Sequence, residues 1–250
     1  MTQSYDQQSP ELGDVVSAYA GQLMPDVQMR TFARTHEIFP TRIIKSGGTP
    51  SELPRTANTL TDLAIPTNGD TYDLFDYVSR NRLVGLLALK DGQIVHEYHE
   101  SGFDADTRWM SMSMAKSVST TLVGTAIKDG YIDSVDDQLV KYMPELSGSG
   151  YDGVSIRHLL QMTSGVKWDD THTTPGSERR VMLDLQVAQQ PGAIMDLMAS
   201  LPRIAEPGQV WNYSTGETHV VGALVKAATG KWLADYCSEK MWSRLGMDSD

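Results

Sequence analysis

The alternation of apolar and polar positions predicts a β-hairpin and a helix in the first half of the chain. Apolar or alternating runs at residues 83–89 and 94–100 flank the turn Lys90-Asp91-Gly92-Gln93, and an Asp-Gly turn between two such runs is typical of a hairpin. Residues 72–81 carry apolar side chains at helical spacing after the start signal Asn68-Gly69-Asp70. We therefore expect part of a sheet and an amphipathic helix in this region.

A longer helix is predicted to follow, buried on nearly every side. Residues 114–127 are apolar or small, with serine and threonine between them, and Asp129-Gly130 ends the pattern. Ser113 and Lys116 stand at the head of this helix, three residues apart. At that spacing the two side chains share one face of the helix.

The rest of the chain divides into an arm and a mostly helical part. Residues 29–66 show no clear periodicity and predict an extended arm. Helices are expected at residues 156–162, 181–201 with a break at Pro191-Gly192, 214–230 and 232–245. We expect an N-terminal arm at 1–70, the N-terminal part of a sheet domain with the helix after Ser113 at 71–130, and a mostly helical domain at 131–250.

Composition and charge exclude several classes of protein. A chain of 250 residues with 40% apolar content can bury a substantial core, and a net charge of −11 argues against nucleic-acid or anionic-membrane partners. Cys237 is the single cysteine, so no intrachain disulfide forms, and we expect it to be a small core residue. Residues 1–25 lack the basic and apolar regions of a signal peptide, and no 18 apolar residues run together, so the expected location is the cytoplasm.

The pair of Ser113 and Lys116 indicates nucleophilic chemistry. A lysine one turn into a helix, if shielded from water, has its ammonium form disfavoured by the helix dipole and by desolvation. A neutral amine beside a hydroxyl is one way to make serine nucleophilic without histidine. A second Ser-x-x-Lys, from Ser164 to Lys167, lies among turn residues, where the lysine would be solvated and charged. We interpret the first pair as functional and the second as structural.

Three other motifs have competing interpretations. Tyr213, at the start of a predicted helix, is either a packed core tyrosine or a partner for the serine and lysine. His96 and His99 point to opposite faces of their predicted strand, and no Cys/His cluster supports zinc, so we expect no metal. Residues 148–153 match G-x-G-x-x-G by letter, but no buried strand precedes them, which favours a flexible loop over a dinucleotide site.

Four motifs occur in an order and spacing that resemble a known family. They are Ser113-Met114-Ala115-Lys116, residues 158–165, residues 207–214 and Thr229-Gly230-Lys231. Together they resemble the serine hydrolases of the β-lactamase and penicillin-recognising fold, and most closely the class C-like branch that includes family VIII carboxylesterases and 6-aminohexanoate-dimer hydrolases. The resemblance covers residues 70–247, and residues 34–54 look like the arm of the nylon-oligomer hydrolases.

The resemblance implies an α/β (α+β) fold, with an antiparallel sheet flanked by helices and a mostly helical domain. It implies that Ser113 is the nucleophile, that Lys116 accepts its proton, and that Tyr213 relays a proton to the leaving group. Thr215 stands where lactamases of this type usually have an asparagine, which favours an ester or linear amide substrate over a β-lactam. Trp211 and Thr215 are the expected substrate-binding residues, and neither a cofactor nor a metal is implied.

Members of this family continue past the position of Asp250 into further strands, one with a Lys-Thr-Gly-like motif, and a closing helix. We therefore expect the 250 residues alone to be nearly inactive, and to associate with a complementary C-terminal segment or with a second copy. Two alternatives to a serine esterase or amidase stay open: a non-catalytic binding or regulatory module on the same fold, and a β-lactamase of weak activity.

Overall fold

The computed structural model describes residues 11–57, 60 and 63–250, so part of the expected arm, residues 1–10 included, lies outside the described residues. Two helices open the described chain, α1 (Val15–Tyr19) and α2 (Pro25–Ala33). The prediction that the extended arm begins at residue 29 is wrong, because residues 29–33 are the end of α2. That helix begins at a proline, whose fixed φ suits the first helical position.

The arm that follows α2 lies against the C-terminal part of the chain. The backbone N–H of Lys45 donates to Ser238 Oγ at 2.7 Å. The Trp232 ring is contacted by two cations, with the guanidinium of Arg42 3.9 Å and Lys226 Nζ 3.2 Å from its centroid. The hydrogen bond of Lys45 and the contact of Arg42 hold the arm against this part of the chain.

The predicted hairpin is confirmed. Strands β3 (Gly85–Lys90) and β4 (Gln93–His99) pair antiparallel. The turn between them has Asp91 at φ 53° and Gly92 at φ 74°, a pair of positive φ angles that matches the twist of the flanking strands.

The helix before the hairpin, which we label α3 (Leu74–Asn81), begins two residues later than predicted. Asp73 caps it, because its side chain accepts a hydrogen bond from Asp76 N at 2.8 Å. The two residues before this cap form strand β2 (Thr71–Tyr72), which pairs antiparallel with β1 (Ile65–Pro66). Both strands are too short to show an alternating pattern.

The helix after Ser113, α4 (Met114–Lys128), is buried on one face only, so the prediction of burial on nearly every side is wrong. The buried residues of α4 are Ser119, Leu122, Val123 and Ala126. The opposite face carries the exposed residues Ser117, Thr121 and Gly124. Small side chains suit either environment, so their presence in the sequence did not establish burial.

Five helices follow α4 and agree with the mostly helical prediction. They are α5 (Ile156–Leu160), α6 (Glu178–Val187), α7 (Ala193–Ser200), α8 (Thr215–Thr229) and α9 (Leu233–Cys237). The predicted break at Pro191-Gly192 lies between α6 and α7. A π-helical turn at Ser238–Trp242 continues α9.

The main core lies between α4 and α8. Val220, Val221, Leu224 and Val225 of α8 are buried together with the inner face of α4. Cys237 is buried in the same cluster, as predicted. The division of the chain at residues 70 and 130 stays a prediction. In the described part of the chain, no helix has the length and apolar content needed to cross a bilayer.

Candidate active site

Ser113 lies at the N-terminal end of α4. It occupies the N-cap position, yet its side chain makes no capping hydrogen bond. Met112 before it has φ 49°, a left-handed conformation that costs energy for a residue other than glycine. The backbone N–H of Lys116 donates to Ser113 O at 3.1 Å, which closes the first turn. The serine hydroxyl is therefore free to contact other side chains.

The structure brings the three predicted chemical residues together. Lys116 Nζ donates to Ser113 Oγ at 3.2 Å, and Ser113 Oγ lies 2.9 Å from Tyr213 Oη. Lys116 Nζ also lies 5.3 Å from the centroid of the tyrosine ring. The serine is exposed, and the lysine and tyrosine are half-buried, so Lys116 is only partly shielded from water by the described residues.

Tyr213 is held by its two neighbours in the chain. Asn212 N donates to Met162 O at 2.9 Å, and Asn212 Nδ2 donates to Trp168 O at 2.8 Å. On the other side Ser214 caps α8, because its hydroxyl accepts from Glu217 N at 3.1 Å. Tyr213 thus lies between two anchored residues, and its position follows from both.

The segment that leads to Tyr213 runs against the turn at residues 162–165. Gly208 N donates to Thr163 O at 2.7 Å, and Ile204 N donates to Gly165 O at 2.8 Å. Gly165 has φ 77°, and a Cβ at this position would lie 2.0 Å from Ala205 O. Only glycine allows the two backbones to come so close.

The second Ser-x-x-Lys, from Ser164 to Lys167, has other partners. Ser164 is buried and donates a hydrogen bond to the carboxylate of Glu217, while its Oγ accepts from Val166 N at 3.0 Å. Lys167 forms an ion pair with Glu178, with Nζ 2.6 Å from Oε1. The Ser164 hydroxyl and the Lys167 amine therefore each have another partner.

Glu217, which sequence reasoning missed, is the buried carboxyl next to the site. Its exposed fraction is 3%, and its Oε2 has no hydrogen-bond partner among the described residues. Burial raises its pKa to about 7, and the hydrogen bond from Ser164 opposes that rise. The sequence signal was present, since Glu217 shares a helix face with Val220, Val221 and Leu224, all buried.

The two predicted substrate-binding residues flank Tyr213. The Trp211 ring is 67% exposed, and its centroid lies 6.5 Å from that of Tyr213. Thr215 N donates to Asp170 Oδ1 at 3.0 Å, and Trp168 Nε1 donates to the same oxygen at 2.7 Å. The sequence did not single out Asp170, whose carboxylate holds the start of α8. Trp211 is an exposed aromatic side chain beside the tyrosine.

The histidines of the hairpin do not form a metal site. His99 Nε2 lies 3.1 Å from Glu97 Oε1, whereas His96 Nε2 is buried and has no hydrogen-bond partner among the described residues. Over residues 11–57, 60 and 63–250, no three His, Cys, Asp or Glu side chains are grouped in a way that could hold a metal ion.

Comparison with known proteins extends these observations. The model of the Beta-lactamase family matches residues 79–250. A 6-aminohexanoate-dimer hydrolase from Paenarthrobacter ureafaciens is 28% identical over 230 residues, which cover 88% of this chain and 55% of the relative. The chain thus spans about half the length of that relative.

Solved structures agree on the fold. A Bacillus anthracis protein provisionally named a 6-aminohexanoate-dimer hydrolase superposes with a TM-score of 0.78 at 21% identity, covering 90% of this chain and 61% of that one. EstCE1, a hydrolase with promiscuous acyltransferase activity, superposes with a TM-score of 0.51 at 20% identity, covering 70% of this chain and 50% of its own. The expected α/β fold of β-lactamase type is therefore confirmed, and the chain belongs to the beta-lactamase family.

Proposed function

We propose that this chain carries the nucleophile of a serine hydrolase that cleaves a small carboxylic ester or linear amide through an acyl-enzyme. The observation that carries the proposal is the hydrogen-bonded set of Lys116 Nζ, Ser113 Oγ and Tyr213 Oη, with distances of 3.2 Å and 2.9 Å. A nucleophile with two proton-transfer groups at hydrogen-bond distance is the arrangement that acyl transfer needs.

In the acylation step, Ser113 Oγ attacks the carbonyl carbon of the substrate and its proton passes to Lys116 Nζ, which acts as the base. The new C–O bond converts the carbonyl into an oxyanion. The bond to the leaving group then breaks as Tyr213 Oη gives that group a proton, and the tyrosine recovers a proton from the lysine. Because Tyr213 Oη lies 2.9 Å from Ser113 Oγ, it is within reach of a leaving group on the attacked carbon.

In the deacylation step, water attacks the acyl carbon and gives a proton to Tyr213 while the tyrosine passes its own hydroxyl proton to Lys116 Nζ, which later returns a proton to Ser113. The bond between the acyl carbon and Ser113 Oγ breaks, the serine takes up a proton, and a carboxylic acid is released. The same groups act in both steps with their proton roles reversed, so no cofactor is required for the reaction to balance.

Two features support an ester or linear amide as the substrate. Thr215 occupies the position at which related lactamases usually have an asparagine that holds the substrate amide. Trp211, 67% exposed beside Tyr213, offers an apolar surface to an acyl chain or leaving group. The relative from Paenarthrobacter ureafaciens is named for hydrolysis of the 6-aminohexanoate dimer, which is a linear amide.

We assign this activity to a protein of the relatives' full length, since this chain spans 55% of the curated relative. An oxyanion hole needs two converging donors, and one of them can be the backbone N–H of Ser113.

The test is the intact mass of the protein after incubation with a fluorophosphonate, together with hydrolysis of a short-chain aryl ester. We expect one adduct, lost in Ser113→Ala along with ester turnover. Ser111→Ala is the matched control, because Ser111 is an exposed serine two positions away that plays no part in the proposed mechanism. An adduct or an unchanged ester rate in Ser113→Ala would contradict the assignment, and a folded parent that never labels would favour a non-catalytic binding module.

A further inference from the structure

The buried carboxyl of Glu217 lowers the stability of the folded chain. Its carboxyl is 3% exposed, one of its oxygens has no hydrogen-bond partner, and no ion pair to it is present among the described residues. Buried carboxyls without a cation or a full set of donors destabilise a fold, and an apolar side chain of similar size would be less costly. Packing stability therefore does not account for a carboxyl here.

The carboxyl joins two pieces of backbone that are distant in sequence. Its hydrogen bond from Ser164 connects α8 to the turn at residues 162–165, across 53 positions of the chain. The same serine accepts from Val166 N at 3.0 Å, so its hydroxyl is oriented toward the carboxylate. A bond of this kind, to a charged or partly charged acceptor in a dry site, is among the stronger ones in proteins.

The turn at residues 162–165 is hydrogen-bonded to the segment that leads to Tyr213. Met162 accepts the backbone N–H of Asn212 at 2.9 Å, and Thr163 accepts that of Gly208 at 2.7 Å. Met162 Sδ also accepts from Ser214 N at 3.4 Å. A displacement of the turn would therefore move the residues on both sides of Tyr213.

Glu217 also contacts Ser214, the residue that follows Tyr213. Its backbone N–H donates to Ser214 Oγ at 3.1 Å, the hydrogen bond that caps α8. One residue thus holds the turn through its carboxyl and the residue after Tyr213 through its amide. The tyrosine hydroxyl, in turn, lies 2.9 Å from Ser113 Oγ.

We propose that Glu217 is a positioning residue, whose hydrogen bond to Ser164 locks the 162–165 turn to α8 and thereby holds the Tyr213 hydroxyl against Ser113. The inference rests on the proposed function, because it assigns Glu217 to the proton-transfer step that Tyr213 performs. Glu217 does not touch the reacting atoms, so its effect on the reaction passes through Tyr213.

The test is a double-mutant cycle on ester hydrolysis, in a protein of the relatives' length. Glu217→Leu removes the acceptor, and we expect kcat to fall about tenfold to a hundredfold, the equivalent of one buried hydrogen bond, with KM changed by less than about threefold. Glu217→Gln keeps an oxygen acceptor for Ser164 and should retain kcat to within about threefold. In the Tyr213→Phe background, Glu217→Leu should have little further effect, because the hydroxyl it positions is already gone.

The control is Ser177→Ala, which removes another buried serine, the N-cap of α6, without touching the turn or the Tyr213 segment. It should lower stability and leave kcat unchanged in both backgrounds. If Glu217→Leu does not fold, Ser164→Ala removes the same hydrogen bond from its donor side and takes its place in the cycle.

A kcat loss from Glu217→Leu that is equal in the two backgrounds would overturn this inference and leave the proposed function intact. So would a Glu217→Gln variant as slow as Glu217→Leu, or a Glu217→Leu variant as fast as the parent. By contrast, a Tyr213→Phe variant that turns over like the parent overturns the proton-relay role in the proposed function, and this inference with it.

Discussion

Replacing Glu217 by glutamine should make the stability of the folded chain less dependent on pH. Folding raises the pKa of this carboxyl from 4.5 to about 7, because the side chain is buried. Well below pH 4.5 the carboxyl is protonated in both states, and its ionisation then contributes nothing to the difference in stability. As the pH rises through 4.5, the unfolded chain loses the proton first, which favours unfolding until the folded carboxyl also ionises near pH 7.

The magnitude follows from the two pKa values. Each pH unit between them is worth about 1.4 kcal/mol of unfolding free energy, so the folded chain should lose about 3 kcal/mol between acid and neutral pH through this group. Glu217→Gln has a similar shape and an oxygen that can accept the Ser164 hydrogen bond, but no proton to lose. The variant should therefore gain about 3 kcal/mol over the parent above pH 7 and little below pH 4.5.

The measurement is urea unfolding, followed by tryptophan fluorescence, of parent and variant between about pH 4 and pH 8.5. In the difference between the unfolding free energies of the two proteins, the contributions of all other titrating groups cancel. Glu206→Gln is the matched control for replacing a glutamate by glutamine, because Glu206 is an exposed glutamate that lies before α8. A Glu217→Gln difference that does not change with pH would refute the reasoning, since it would mean that the carboxyl is not buried in the folded chain.

Two further predictions concern the site and its surroundings. Lys116→Ala should lower kcat about a hundredfold or more, the usual effect of losing a positioned base, whereas Lys167→Ala should change it little; the reverse result would mean that the wrong Ser-x-x-Lys was chosen. Gly165→Ala should lower the urea midpoint and slow ester turnover, because its Cβ would meet Ala205 O at 2.0 Å; a variant as stable as the parent would contradict that close approach.

The sequence by itself determined the local elements and the family. Several boundaries depend only on turn residues within a short stretch, which can be identified from the sequence. They are the turn of the hairpin, the end of α8 at Gly230 and the break at Pro191-Gly192. The pairing of Ser113 with Lys116 is equally local, because a spacing of three places both side chains on one helix face.

Only the tertiary structure decided which distant residues meet. Tyr213 lies 100 positions from Ser113, and although the family resemblance assigned both to one reaction, no local pattern in either segment indicates that their hydroxyls come within hydrogen-bond distance. The burial of Glu217 and the exposure of one face of α4 were also undecided, because each depends on which surface another helix covers. Spacing along the chain specifies a residue's own element, whereas neighbours, burial and pKa follow from packing between elements that are far apart in sequence.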